Sequence, residues 1–203
     1  KLLKLSYMAA KVIVTGGAGF IGSHLTRALV KKGYDVYVID NLSNGRKEDV
    51  DLKAKFHKVD LRDFDKLKPI FAKTKFVFHL AALPRVQPSI KDPRNTHDHN
   101  VNATLNVLLA ARDAGVKRVV YSASSSAYGN QKKLPLQEKI EARPLSPYGL
   151  QKHIGELYCQ LFSQIYGLKT VSLRYFNVYW PGAPSDGTYS LVIGKFLDQR
   201  KNK

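Results

Sequence analysis

The sequence predicts a doubly wound α/β fold, a parallel sheet with helices on both faces. Three observations predict it. Short β-branched runs alternate with helical patterns, a glycine turn joins the first such pair, and a glycine stands just past several of the helical patterns. The first run, Lys11-Val12-Ile13-Val14, leads into Gly16, and a helical pattern follows over residues 21–32. Gly16, Gly19 and Gly22 then fall at the strand end, the turn and the helix start. There they let the chain turn sharply, let backbone approach a pyrophosphate, and let helix pack closely on strand. The free N–H groups of the helix start would face the phosphates. The second strand, Asp35–Ile39, ends in Asp40. An acid about 20 residues after such glycines accepts both hydroxyls of an adenosine ribose and repels a 2′-phosphate, so the motif reads as a dinucleotide site with NAD favoured over NADP.

Further strands are expected over Lys55–Val59, Phe76–Leu80, Arg118–Ser122 and Thr170–Arg174, and helices over Phe64–Ala72, Val101–Ala114 and Tyr148–Tyr166. Gly33, Gly115 and Gly167 are placed for the left-handed residue that closes a helix. The strand–helix alternation implies a parallel sheet covered on both sides. From Trp180 to Ser190 the composition is that of a loop, and an amphipathic stretch follows over Leu191–Gln199, with Leu191, Val192, Ile193, Phe196 and Leu197 on its apolar face.

At 203 residues and 44% hydrophobic, the chain has material for one sizeable core. No apolar run approaches the ~20 residues of a membrane span. Residues 1–10 are expected to be an N-terminal extension, because Lys1–Tyr7 precedes Met8 and is too short for a signal peptide. Cys159 has no partner for an internal disulfide, and a cytoplasmic location is expected. The formal charge of +17 is spread over dispersed lysines without interleaved aromatics. It is expected to serve an anionic cofactor and substrate, with no nucleic acid and no membrane as partner. His97 and His99 lack a third ligand at metal spacing, so no metal is expected. Asn102-Ala103-Thr104 has the form of a glycosylation sequon but falls in an expected helix.

Several strands end in small or polar residues, on the side where doubly wound sheets bind ligands. Asp60 could accept from an adenine amino group, and Leu80-Ala81-Ala82 offers a flat backbone surface. The fifth strand runs into the cluster Ser122–Ser126 and Tyr128-Gly129. Tyr148 and Lys152, four residues apart, share one face of a helix that Ser146-Pro147 opens. A nearby ammonium and a cationic nicotinamide would lower the pKa of a tyrosine from ~10 and make it a base.

With these residues in view, the chain resembles the nucleotide-sugar epimerase/dehydratase family, the extended short-chain dehydrogenase/reductases. The resemblance runs from Lys11 to Leu197. It rests on Thr15-to-Gly22 (TGGAGFIG), Asp40-Asn41-Leu42, Val59-Asp60-Leu61, His79-Leu80-Ala81-Ala82, Asn100, the serine cluster, Ser146-Pro147-Tyr148 with Lys152, and Arg174–Tyr179. It implies a catalytic trio of Ser124, Tyr148 and Lys152. It implies contacts to NAD from Gly16, Gly19, Phe20, Ile21, Gly22, Asp40, Asn41, Asn44, Gly45, Asp60, Leu61, Leu80, Ala81, Ala82, Asn100, Tyr148, Lys152 and Tyr175. Arg85, Ser124 and Asn177 would contact substrate. Dehydratases carry an acidic pair after the catalytic Ser/Thr, where this chain has Ser125 and Ser126. The expected activity is therefore epimerisation of a UDP-sugar at C4, of the UDP-glucose/UDP-galactose type, through a transient 4-keto sugar. The alternatives are an NAD-binding module without turnover, or another nucleotide-sugar-modifying enzyme of the family. The resemblance also implies a homodimer through Val101–Ala114 and Tyr148–Tyr166. Residues 11–179 would form the NAD-binding domain and 180–203 the beginning of a substrate-binding region. The family continues for roughly another hundred residues, so the chain as it stands is expected to bind NAD and turn over UDP-sugars poorly. Trp180 replaces the family's usual glycine and is expected to crowd the substrate loop.

Overall fold

The computed structural model describes residues 9–181 together with 183, 196, 199 and 200. Six parallel strands, β1 Lys11–Thr15, β2 Asp35–Asp40, β3 Lys55–Lys58, β4 Phe76–His79, β5 Arg118–Ser124 and β6 Thr170–Tyr175, form one sheet in the order β3-β2-β1-β4-β5-β6. The order reverses between β1 and β4, which pair directly with Val12 opposite Phe76 and Thr15 opposite His79. Adjacent residues of one strand point to opposite faces. Val12, Val14, Val36 and Val38 pack with Leu29 on one side. Ile13, Ile39, Val77, Val119 and Tyr121 pack with Phe71, Leu108, Cys159 and Phe162 on the other. Burial on both faces is why these strands read as continuous apolar runs.

The helices are α1 Phe20–Lys31, α2 Phe64–Leu67, α3 Val86–Lys91, α4 Pro93–His97, α5 Ala103–Asp113 and α6 Pro147–Tyr166. Gly33, Gly115 and Gly167 all take the left-handed conformation, with φ of +83°, +65° and +66°. Two expectations need correction, and one segment holds helices that were not expected. The helix expected over Phe64–Ala72 is only four residues of α2 followed by a 3₁₀ turn, Lys68–Phe71, because Pro69 has no N–H to continue the ladder. The helix expected from Val101 starts as α5 at Ala103, after a wide π turn over Asp98–Asn102. The segment before it, to which no element was assigned from the sequence, holds α3 and α4. Asp92 caps α4 by accepting from the Asn95 N–H (3.0 Å), with Pro93 at its first position. Of the loop expected over 180–190, only Trp180, Pro181 and Ala183 are described. The amphipathic stretch Leu191–Gln199 lies outside the described residues apart from Phe196 and Gln199.

Candidate functional site

A cleft of about 1510 Å³ opens at the C-terminal ends of β1, β2 and β4, at the point where the strand order reverses. This exceeds the ~300–1,000 Å³ of an ordinary small-molecule site and leaves room for an elongated, two-part ligand. One wall is the glycine turn. Gly16 has φ +70°, and a Cβ there would stand 2.7 Å from the Ala81 nitrogen. A Cβ on Gly22 would run into the Gly16 carbonyl, so the helix start can lie against the turn only as glycine. Among the described residues no protein acceptor meets the N–H groups of Phe20, Ile21 and Gly22, and no side chain caps α1. These open amides and the positive helix end are the features that fit a diphosphate.

At the next strand end, Asp40 is buried and accepts from the backbone N–H of Ala18 (3.0 Å) and of Leu42 (2.8 Å). It lines the cleft, and each carboxylate oxygen keeps a lone pair with which to accept from a ligand. Asp60 also lines the cleft, but its carboxylate is gripped by both arms of Arg62 (2.9 Å each) and by the Asn41 amide (3.0 Å). The Arg62 guanidinium holds the Asp60 carboxyl well below the usual carboxylate range. Asn41, Asn44, Gly45, Leu61, Leu80, Ala81, Ala82 and Arg85 complete this part of the lining. Arg85 adopts φ +86° with ψ 143°, a strained conformation for a non-glycine residue, as it leads into α3.

Tyr148 and Lys152 line the opposite wall. Ser146 caps α6 by accepting from the Gly149 N–H (3.1 Å), and Pro147 pre-sets its first turn, which places Tyr148 in that turn and Lys152 one turn on. The expected Tyr–Lys electrostatics differ in one respect. The Lys152 ammonium donates to the Ser122 carbonyl on β5 (2.8 Å), and burial lowers its pKa to about 8. Burial raises Tyr148 above its ordinary value, opposed by a hydrogen bond with Ser124. Desolvation therefore outweighs any help from Lys152. Ser124 ends β5 beside Tyr175 in register, and its Oγ accepts from the Ser126 N–H (3.1 Å).

Not every expected residue reaches the cleft surface. Ser124 and Tyr175 end β5 and β6 without lining the cleft, and Asn177 is exposed beyond β6. Trp180 is also exposed and sets its ring edge-on to His24 of α1, centroids 6.4 Å apart. Asn100, 1% exposed, lies behind the wall. Its Oδ1 accepts from the Leu83 N–H (2.8 Å), and its Nδ2 donates to the Leu83 carbonyl (3.1 Å) and to Gln151 Oε1 (2.8 Å). Gln151 in turn donates to Thr96 Oγ1 (3.0 Å). Asn100 thus ties the Leu80–Leu83 wall to the helix that carries Tyr148 and Lys152. Gln151 was missed by sequence reasoning, although a glutamine on the inner side of an amphipathic helix is a signal for such a tie. Lys91, Asn95 and His99, which α3, α4 and the π turn bring to the cleft, were missed with those elements.

A six-stranded parallel sheet in this order, with a glycine turn and open helix amides at its switch point, defines a Rossmann-type nucleotide-binding protein. A model of the NAD dependent epimerase/dehydratase family matches residues 12–203. The chain belongs to that family. It is 43% identical over 180 residues to the UDP-glucose 4-epimerase of Lactobacillus helveticus, covering 88% of this chain and 54% of that one. Among solved structures, the UDP-N-acetylglucosamine 4-epimerase from Methanobrevibacter ruminantium, in complex with UDP-N-acetylmuramic acid, has a TM-score of 0.91 at 40% identity, covering 96% of this chain and 63% of that one. The Thermus thermophilus UDP-glucose 4-epimerase in complex with NAD has a TM-score of 0.83 at 40% identity, covering 88% and 58%. The chain spans about half to three-fifths of the length of these relatives.

Proposed function

We propose that this chain is the NAD-binding part of an enzyme that epimerises UDP-sugars at C4, of the UDP-glucose/UDP-galactose type. The observation that carries the reading is the pairing, across one cleft, of a phosphate-ready glycine turn with Tyr148 and Lys152. Names of relatives at about 40% identity support the same chemistry. Residues 11–179 form the cofactor unit in this reading, and 180–203 begin the substrate region.

Bound NAD supplies a hydride acceptor that becomes the donor for the return step. The chain does the rest. The open amides of Phe20, Ile21 and Gly22 take the diphosphate, and Asp40 takes the adenosine ribose hydroxyls. Lys152, already held by Ser122, has ammonium protons left for the nicotinamide ribose. Tyr148 removes the proton of the sugar 4-hydroxyl and returns it after the 4-keto sugar has turned its other face. Ser124 holds the same oxygen. Its hydrogen bond and the positive charge of the bound cofactor work against the burial that raises Tyr148. Arg85 and Asn177 serve the substrate side. The exposed Leu150, Leu157, Leu161 and Ile165 on α6 suit a homodimer in which α5 and α6 pack on their copies. A cytoplasmic location belongs to this reading.

A module that binds NAD without turnover is the second reading, favoured by the exposure of Asn177. Tyr148→Phe separates the two. In the epimerase reading it leaves NAD affinity intact, while turnover of UDP-galactose falls ~100-fold or more in the complete enzyme. Near-normal turnover by that variant removes Tyr148 from the role of base, and NAD binding without any turnover in the complete enzyme supports the module.

A further inference from the structure

All six strands begin at one end of the sheet, opposite the cleft, and their register makes that end cationic. The Lys75 N–H donates to the Lys11 carbonyl (2.9 Å), the Lys117 N–H to the Lys75 carbonyl (3.0 Å), and the Val119 N–H to the Lys169 carbonyl (2.9 Å). Lys11, Lys75, Lys117 and Lys169 therefore stand side by side at the entries of β1, β4, β5 and β6, on strands about 4.8 Å apart. Lys11 gives its ammonium to the Ile70 and Ala72 carbonyls. Lys75, Lys117, Lys169 and the adjoining Arg118 are exposed, and among the described residues none makes an ion pair. Nearby acids are already engaged: Asp35 by Lys55, Asp113 by Arg112, and Asp51 by the Lys53 N–H. Cations in the last turn of a helix offset its dipole, which accounts for Lys31 and Arg112 but not for a row at strand starts.

The turn that leads into β3 adds an apolar element to this end. Leu52 is fully exposed there, at 102% relative accessibility, next to Lys53. Against the expectation from sequence that no membrane is a partner, we propose that this end of the sheet docks on an anionic lipid bilayer, with Leu52 entering the acyl boundary while Lys53, Lys75, Lys117, Arg118 and Lys169 meet the headgroups. An apolar anchor combined with basic residues is how peripheral proteins bind such surfaces, and it requires no spanning helix. Lysine stems lie along the boundary and keep their ammonium groups among the headgroups. The observations favour lipid over a nucleic acid. An isolated leucine gains nothing from a phosphate backbone. The nearby rings, Tyr37 and Phe76, already lie under the ammonium groups of Lys11 (3.9 Å) and Lys75 (5.8 Å) rather than open to bases. Docked this way, the cleft faces the solution.

The proposal stands apart from the enzymatic reading and is tested by flotation of the 203-residue chain with vesicles. Vesicles of phosphatidylcholine containing phosphatidylserine should retain it, and phosphatidylcholine alone should not. Added salt should release it as screening shortens the reach of the charges. Reversing three charges (Lys75→Glu, Lys117→Glu, Lys169→Glu) should weaken retention ~10-fold or more, and the corresponding arginine variants should keep it. Leu52→Ser should weaken it several-fold, roughly as expected for one lost apolar anchor, with the same salt dependence. Circular dichroism and thermal melting verify that each variant is folded, and the wild-type lipid and salt comparison stands without them. Equal retention on both vesicles, none on the anionic ones, or no effect of either folded variant overturns the proposal. So does a single-stranded oligonucleotide that binds more tightly than the vesicles and strips the protein from them, which would make nucleic acid the partner.

Discussion

His79 is fully buried with both ring nitrogens engaged, and its surroundings fix the direction of each bond. Thr104 Oγ1 donates to the Asn100 carbonyl (2.6 Å), so it accepts from His79 Nε2 (2.9 Å), and Nδ1 is left to accept from Thr15 Oγ1 (2.7 Å). The ring is thus neutral, and burial holds its pKa down to about 3 from 6.5. At pH above ~6.5 neither the folded nor the unfolded chain protonates it, and it adds no pH dependence. Between 6.5 and 3 only the unfolded chain takes the proton, so stability falls as pH falls, by at most about 1.4 kcal/mol per pH unit. Urea unfolding from neutrality to about pH 4 should show this slope, and His79→Asn should flatten it; a flat wild-type profile rules the argument out. The depressed carboxyl of Asp60 acts in a separate window, because its stabilisation is lost only below the ordinary carboxylate value of 3.8. Asp40 gives a second prediction. Calorimetry should find NAD bound more tightly than NADP, and Asp40→Ala should narrow the gap by removing repulsion of the 2′-phosphate. Equal affinities in the wild type contradict that role. Lys152 gives a third: NAD affinity should decline as pH rises through about 8, where its ammonium is lost, and an unchanged affinity across that range excludes it as a ribose ligand.

Between elements, the firmest tie is the pair of Glu156 on α6 and Arg174 on β6, with both guanidinium arms on the carboxylate (2.8 and 2.7 Å). Glu156 is 4% exposed, and the Arg174 guanidinium also covers the Tyr128 ring at 4.4 Å. Removing Arg174 leaves the buried Glu156 carboxylate with only His153 Nδ1 (3.1 Å) as a side-chain partner, so Arg174→Ala should cost about 3–5 kcal/mol in urea unfolding. A double replacement by apolar residues of similar volume should recover much of that. A loss under about 1 kcal/mol would mean the pair behaves as a surface ion pair. The elements readable from sequence were those with local signals: short apolar, β-branched runs in the strands, and a left-handed glycine after each of α1, α5 and α6. α3 and α4 escaped because Pro88 and Pro93 read as breakers, although Asp92-Pro93 is itself a helix-start signal. The π turn at Asp98–Asn102 leaves no trace in a pattern of 3.6 residues. The site divides in the same way. The glycine turn, Asp40, Tyr148 and Lys152 were legible because their spacing along the chain carries the chemistry. The Asn100–Gln151 tie was not, because its partners meet only after the chain has folded.

For the molecule as a whole, a ligand that binds only the folded chain must stabilise it. NAD at 100 times its dissociation constant should add about 2.7 kcal/mol to unfolding, seen as a rise in melting temperature. No shift at saturating NAD means the glycine-turn cleft does not hold the cofactor in this chain. β6 bears on a different property. It pairs with β5 on one side, has no further neighbour among the described residues, and exposes Val171 and Leu173. An open, β-branched edge of this kind is a template for strands of other copies. Charges totalling +17 hold those copies apart in dilute buffer. The colloidal behaviour of this protein should therefore run opposite to that of proteins salted into solution: clear at low ionic strength, and increasingly turbid as counterions screen the repulsion and let one edge find another.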